Sequence, residues 1–135
     1  MYSHFKQAQR FSRISALLIL TSFYSCGFAY KEQVTGKYYI IGVDTKDDLS
    51  LRYKLDNGDF VGKAPGQILQ YGYNDTLIVA KTQYNYSGQP SFYLINMLKD
   101  SDYAHEEDFQ IGPISEEEFN SKWNQRLNIK LEDVQ

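Results

Sequence analysis

Residues 49–60 read LSLRYKLDNGDF, and the fold class turns on them. Leu49, Leu51, Tyr53 and Leu55 alternate with Ser50, Arg52 and Lys54, the period-two pattern of a strand with one wet face. The run ends in Asp56-Asn57-Gly58-Asp59, and Asn-Gly is a strong hairpin signal because both residues tolerate positive φ. A two-residue loop at Asn57-Gly58 sets Leu55 opposite Phe60 and Tyr53 opposite Gly62, but it also sets Asp56 against Asp59, a like-charge pair. A four-residue loop keeps Leu55 opposite Phe60, relieves that repulsion and is the expected form.

Further strands flank this hairpin. Residues 37–43 (KYYIIGV) are aromatic and β-branched. Residues 76–82 (TLIVAKT) follow a Tyr-Asn-Asp turn, and residues 91–98 (SFYLINML) follow Ser-Gly-Gln-Pro. Both are nearly continuous apolar runs, which places them near the centre of a sheet. Weaker strands are expected at 69–73 and, as an edge, at 109–111. Ser115 and Glu118 form a capping box, with Ile114 and Phe119 at the spacing of a hydrophobic staple. Phe119, Trp123 and Leu127 then recur every four residues, so a helix should cover one sheet face through Trp123. The tail 128–134 alternates and could supply an edge strand. The expected fold is α+β: an antiparallel β-meander of about five to seven strands with one C-terminal helix packed on a sheet face.

The N-terminus reads as an address. Residues 1–13 carry Lys6, Arg10 and Arg13 and no acid, and residues 14–24 (ISALLILTSFY) are apolar. Eleven residues are too short to span the roughly 30 Å hydrocarbon core, whereas a basic stretch before a short apolar one is the signal-peptide pattern. The chain's one cysteine follows in Ser25-Cys26-Gly27. This resembles a bacterial lipobox, in which the peptide is cut before a Cys whose thiol receives diacylglycerol, although Phe23 and Tyr24 stand where Leu and a small residue are usual. Plain secretion with a cut nearer Ala29 is the alternative. The expected organisation is a signal peptide over 1–25, a lipidated N-terminus and tether over 26–36, and one domain over 37–135.

Composition bounds the function. The 135 residues include 14 Lys+Arg and 17 Asp+Glu, a net charge of −3, with no basic excess to suggest nucleic acid. Losing three basic residues and no acid with the signal peptide leaves 11 against 17, a net charge of −6. An acidic domain of that kind is not expected to adhere to anionic headgroups by charge, so the membrane would be held through the lipid. Two His and one Cys leave little for a metal centre or a nucleophilic triad, so no catalytic residue, cofactor or metal is assigned. His105 reads as a surface-loop residue. The acids Asp100, Asp102, Glu106, Glu107 and Asp108 do not match an EF-hand spacing and read as a solvated loop. Tyr71, Tyr73, Tyr84, Tyr86 and Tyr93 are the candidate binding surface, because tyrosine offers rigid amphipathic contact area; half-buried strand residues are the competing reading.

Together the lipobox-like start, KYYIIGVDT, LSLRYKL, YNDTLIVAK, SFYLIN and IGPISEEEF resemble a family of small bacterial lipoproteins known only as a domain of unknown function. The likeness spans roughly residues 26–127 and rests on Tyr73-Asn74-Asp75, residues 78–81 and 92–96, and the entry to the helix at 112–119. It implies export and a small sheet with a helix, and it supplies no activity or catalytic residue. The expected role is a lipid-anchored, non-enzymatic envelope domain that binds a protein or ligand. An inhibitor or immunity-type lipoprotein and a small envelope hydrolase are the alternatives. Gly27 is not the acidic retention signal of enteric bacteria, which tilts the expected location toward the outer membrane; a secreted or periplasmic protein is the alternative.

Overall fold

A computed structural model describes residues 27–45, 47–84 and 88–134, so the signal segment and Cys26 lie outside the described residues. The chain first makes four strands: β1 (Tyr30–Thr35), β2 (Tyr38–Gly42), β3 (Leu49–Lys54) and β4 (Phe60–Gly62). They pair antiparallel in chain order as one sheet. After residues 63–66 come β5 (Gln67–Tyr73), β6 (Leu77–Gln83) and β7 (Ser91–Asn96), then the single turn α1 (Glu106–Phe109) and β8 (Gln110–Ser115). A helix α2 runs over 116–127, and β9 (Glu132–Asp133) is the last strand. The second sheet has the order β8-β7-β6-β5-β9. The protein is thus mostly antiparallel β with one late helix; among the described residues nine strands in two sheets replace the expected single meander of five to seven, because β1 and β9 add edges and the chain crosses to a second sheet after β4.

The layering follows from which residues alternate. Val34, Tyr38, Ile40, Leu49, Leu51 and Tyr53 of the first sheet share a core with Ile68, Tyr71, Ile78, Ala80 and Ile95 of the second. The other face of the second sheet buries Val79, Phe92, Leu94 and Ile114 against Phe119 and Ile129. Three layers result: sheet, sheet, helix. β6 and β7 are apolar on consecutive residues because both their faces are covered, and β6 is the central strand, as their composition implied.

Three local expectations are corrected. The β3–β4 turn has three residues, with Lys54 opposite Phe60 and Tyr53 opposite Val61. Leu55 O accepts from Gly58 N–H (3.0 Å) and Leu55 N–H donates to Asp59 O (2.8 Å). Gly58 alone takes the positive φ, +94°, so a type I turn with a left-handed glycine displaces both anticipated loops and shifts the register by one residue. That shift turns Phe60 to the outer face, where it packs on Tyr39 and Phe28. Second, residues 30–35, read as part of a tether, form β1, because Tyr30, Glu32 and Val34 alternate inward against β2. Third, the edge expected at 109–111 continues to Ser115.

The helix entry forms one half of the expected capping box, the Ser115 half: Ser115 Oγ accepts from Glu118 N–H at 3.1 Å, while the Glu118 carboxylate goes to Lys122 at 3.6 Å. Ile114 and Phe119 are both buried, and Phe119 stacks on Phe92 with ring centroids 4.0 Å apart. Phe119 rather than Trp123 is therefore the principal anchor; Trp123 is half-buried. A four-residue repeat drifts about 40° per step on an α-helix. The π-helical turn Phe119–Trp123 is wider, which brings Trp123 back over the sheet. Asn128, at φ +48°, ends the helix, and the tail then crosses β5. There a Cβ on Gly72 would sit 2.3 Å from Lys130 O. Gly72→Ala should push the tail off the sheet and cost about 1–3 kcal/mol, read as a lowered urea midpoint.

Candidate functional site

The passage from one sheet to the other, residues 63–66, builds the site. Lys63 N–H donates to Leu51 O (2.9 Å), one step past β4, so its side chain follows Val61 toward the core. Its Nζ lies 2.7 Å from Asp100 Oδ1, with the two side chains 4% and 0% exposed. An isolated ion at such a place costs several kcal/mol of lost hydration. Here each charge is surrounded by partners. Asp100 also accepts from Tyr38 Oη (2.8 Å) and from Ser101 N–H (2.9 Å). The Lys63 ammonium lies 4.2 Å from the Phe109 ring centroid and 4.9 Å from that of Tyr53. Burial, and then the hydrogen bond to Asp100, push the Tyr38 hydroxyl far above the usual phenol range. Gln110 Nε2 donates to Lys63 O (2.7 Å) and fixes the backbone.

Asp100 reaches this position because Asn96 turns the chain at the end of β7, its side-chain oxygen accepting from Leu98 N–H (3.0 Å). Two residues on, Asp102 accepts from Asp56 N–H (2.8 Å) in the β3–β4 turn and lies 3.6 Å from Lys37. Lys37 pairs with Asp56 at 2.6 Å; this contact raises the lysine and holds the Asp56 carboxyl below the usual range. The loop read from sequence as solvated acid is thus a clamp between the sheets. Asp100 is buried because a lysine awaits it, and only Glu106, Glu107 and Asp108 are exposed. His105 is exposed, as expected.

Beside the clamp opens a cleft of about 460 Å³. Val61, Ala64, Pro65, Ala104 and Phe109 give it apolar walls, and Asp102 and Glu106 add carboxylates. Its dimensions suit a side chain or a small molecule. Among the described residues no group of three or more His, Cys, Asp or Glu could hold a metal ion, and no helix is long and apolar enough to cross a membrane.

The tyrosine set divides. Tyr71 and Tyr93 lie in one cross-strand row with Ala80 between them and are buried. Tyr73 and Tyr84 are exposed on different strands or beyond their ends, and Tyr86 lies outside the described residues. The set therefore does not form one exposed face. Tyr71 instead donates to Glu32 Oε1 (3.0 Å), whose other oxygen accepts from Tyr30 Oη, a second polar tie between the sheets. Tyr71 is pushed up to about 12 by burial and then by Glu32; Tyr30 reaches about 12 mainly through its bond to Glu32. Next to it lies a smaller cleft of about 260 Å³ at Tyr71, Tyr73, Lys130 and Glu132. The buried pair was not found by sequence reasoning, since Lys63 and Asp100 are 37 residues apart in polar surroundings.

No protein-family model, curated protein or solved structure matches the chain.

Lys63→Met should cost about 3–5 kcal/mol, because it strands a buried carboxylate. Adding Asp100→Leu should recover most of that loss, leaving about 1–3 kcal/mol for the orphaned Tyr38 hydroxyl, which Tyr38→Phe removes. Urea unfolding of the three variants measures it. The raised Tyr30 and Tyr71 values have a different signature. Their stabilisation is complete below the unfolded value near 10 and is lost as pH rises through about 12. Glu32→Gln should make that alkaline loss smaller, followed by phenolate absorbance alongside unfolding.

Proposed function

We propose that this chain is a lipid-anchored, non-enzymatic domain of the bacterial envelope, attached through Cys26 after removal of residues 1–25, which binds an envelope protein or a periplasmic ligand in the cleft beside Lys63. One observation carries the binding part of the reading. The charged groups at the base of the cleft are committed to each other, Lys63 to Asp100 and Asp102 to the Asp56 N–H and Lys37, while apolar walls and the exposed Glu106 face outward. A rigid pocket with its charges already compensated suits recognition better than proton transfer, which needs a group free to change its protonation.

The Glu106 carboxylate at the rim, with Glu107 and Asp108 beside it on α1, favours a basic occupant such as an Arg or Lys side chain of a partner. This also favours the inhibitor or immunity-type reading, in which an acidic protein neutralises a basic toxin or hydrolase. The address and anchor rest on the basic and apolar N-terminal segments and the lipobox-like Ser25-Cys26-Gly27.

A photo-crosslinking residue at Ala104 of the full chain, in intact cells, tests the cleft. One discrete adduct should form, vanish with Glu106→Lys, and be absent when the crosslinker is moved to Asn120 on the helix. No adduct at Ala104, or a hydrolytic activity abolished by Asp102→Asn or Glu106→Gln, would overturn the proposal.

A further inference from the structure

The outer face of the first sheet differs in charge from the protein as a whole. Its strand positions are Lys31 and Gln33 on β1, Tyr39 on β2, Ser50, Arg52 and Lys54 on β3, and Phe60 and Gly62 on β4, over Ile41 of β2, which is fully buried beneath them. Three are cationic and none is acidic; the acids of this half sit on the inner side, as Glu32 does, or in the loops beyond the strand ends. The described ion pairs include none of the three cations. The exposed Phe28 packs edge-on against Phe60 (centroids 5.4 Å), and Phe60 against Tyr39 (5.4 Å). Lys31 Nζ sits 5.1, 5.2 and 5.9 Å from the Tyr39, Phe60 and Phe28 centroids, so an ammonium is held at the surface on an aromatic bed. Arg52 spends its Nε on Ser50 Oγ (2.9 Å), which aligns the guanidinium; among the described residues its other N–H groups make no hydrogen bond.

The first described residues lie on this side. Ala29 N–H donates to Val43 O (3.4 Å), continuing the pairing of β1 with β2, and Phe28 lies just beyond. Cys26 is two residues earlier and so no more than about 7 Å from Phe28 along the chain. Aromatic rings that pack with cations, on a face lacking strand acids and within two residues of Cys26, match the interfacial zone of a membrane, where rings sit at headgroup depth and Lys and Arg meet phosphate.

We infer that the outer face of the first sheet docks on an anionic phospholipid surface, with Phe28, Tyr39 and Phe60 at headgroup depth and Lys31, Arg52 and Lys54 against lipid phosphates. It rests on the proposed lipid anchor, which would hold the face close enough for these contacts to form. The net negative charge of the domain does not oppose it, because screening confines the interaction to about 10 Å and the facing groups decide its sign. Each cation near an anionic leaflet strengthens attachment about fivefold. The docked orientation also leaves the helix layer, on the far side of the second sheet, facing away from the membrane.

The test places single thiols in the full chain as cells produce it, at Gln33 on this face or Asn120 on the helix, and returns the protein from detergent into phosphatidylglycerol or phosphatidylcholine vesicles. Labelling by a membrane-impermeant maleimide is expected to be at least about fivefold slower for Gln33→Cys than for Asn120→Cys on phosphatidylglycerol. The ratio should return to its detergent value on phosphatidylcholine and in the K31E/R52E/K54E background. Equal rates on phosphatidylglycerol would overturn the inference. Slow labelling of Gln33→Cys that persists in detergent would also overturn it, by showing that protein covers the face. The unsubstituted chain reports the anchor separately: its Cys26 thiol stays unreactive in detergent if acylated, and a reactive Cys26 refutes the anchor while the Gln33 to Asn120 ratio still decides the docking.

Discussion

The Lys63–Asp100 pair governs how the two sheets meet. A buried ion pair is weak as a source of stability, since attraction between the ions roughly offsets the hydration both have lost. Its effect is selective: any packing of the sheets that fails to bring Lys63 to Asp100 leaves two bare charges in an apolar core. Tyr38, Ser101, Phe109 and Tyr53 extend this demand to both sheets, because each touches one of the charges. Glu32, bound by Tyr30 and Tyr71, imposes a milder version at the edge strand. Apolar burial then supplies the driving force within a geometry that the polar contacts have narrowed.

That geometry also accounts for the position of the cleft. The crossover at 63–66 cannot pack flat, because Lys63 turns inward there and Pro65 lacks a backbone donor to pair with a strand. The loop from Asp100 to His105 is held at two acids and bows between them and α1. The concavity is what remains between a crossover and a loop that are both pinned. Two of its sides are tied down by hydrogen bonds, Gln110 Nε2 to Lys63 O and Ala104 N–H to Ser101 O.

Much of the architecture could be read from local pattern. The period-two run at Leu49–Lys54, the two continuous apolar strands and the helix entry at Ser115 each declare themselves within a few residues, because steric and capping preferences act over that range. The β3–β4 register escaped because Asn57 and Gly58 permit several loops, and only Gly58 takes the left-handed conformation. β1 escaped because Glu32 interrupts its inner face with a carboxylate, which makes sense only once Tyr71 has arrived from 39 residues away. The acidic loop was misread for the same reason: charge composition says nothing about a lysine on another sheet. The tyrosines were legible as strand residues, but which of them would be covered depended on the layer packed above.

The strand pairing of the C-terminal tail with β5 bears on when the protein can fold. Each sheet is a meander of consecutive hairpins, which can form as soon as its own segment is free. The outer face of β6 and β7, in contrast, stays bare until the last twenty or so residues arrive to lay Phe119 and Ile129 on it, and the edge of β5 stays open until Glu132 and Asp133 close it. Until residues 116–133 are free to pack, the chain therefore lacks the third layer and keeps one edge of the second sheet open.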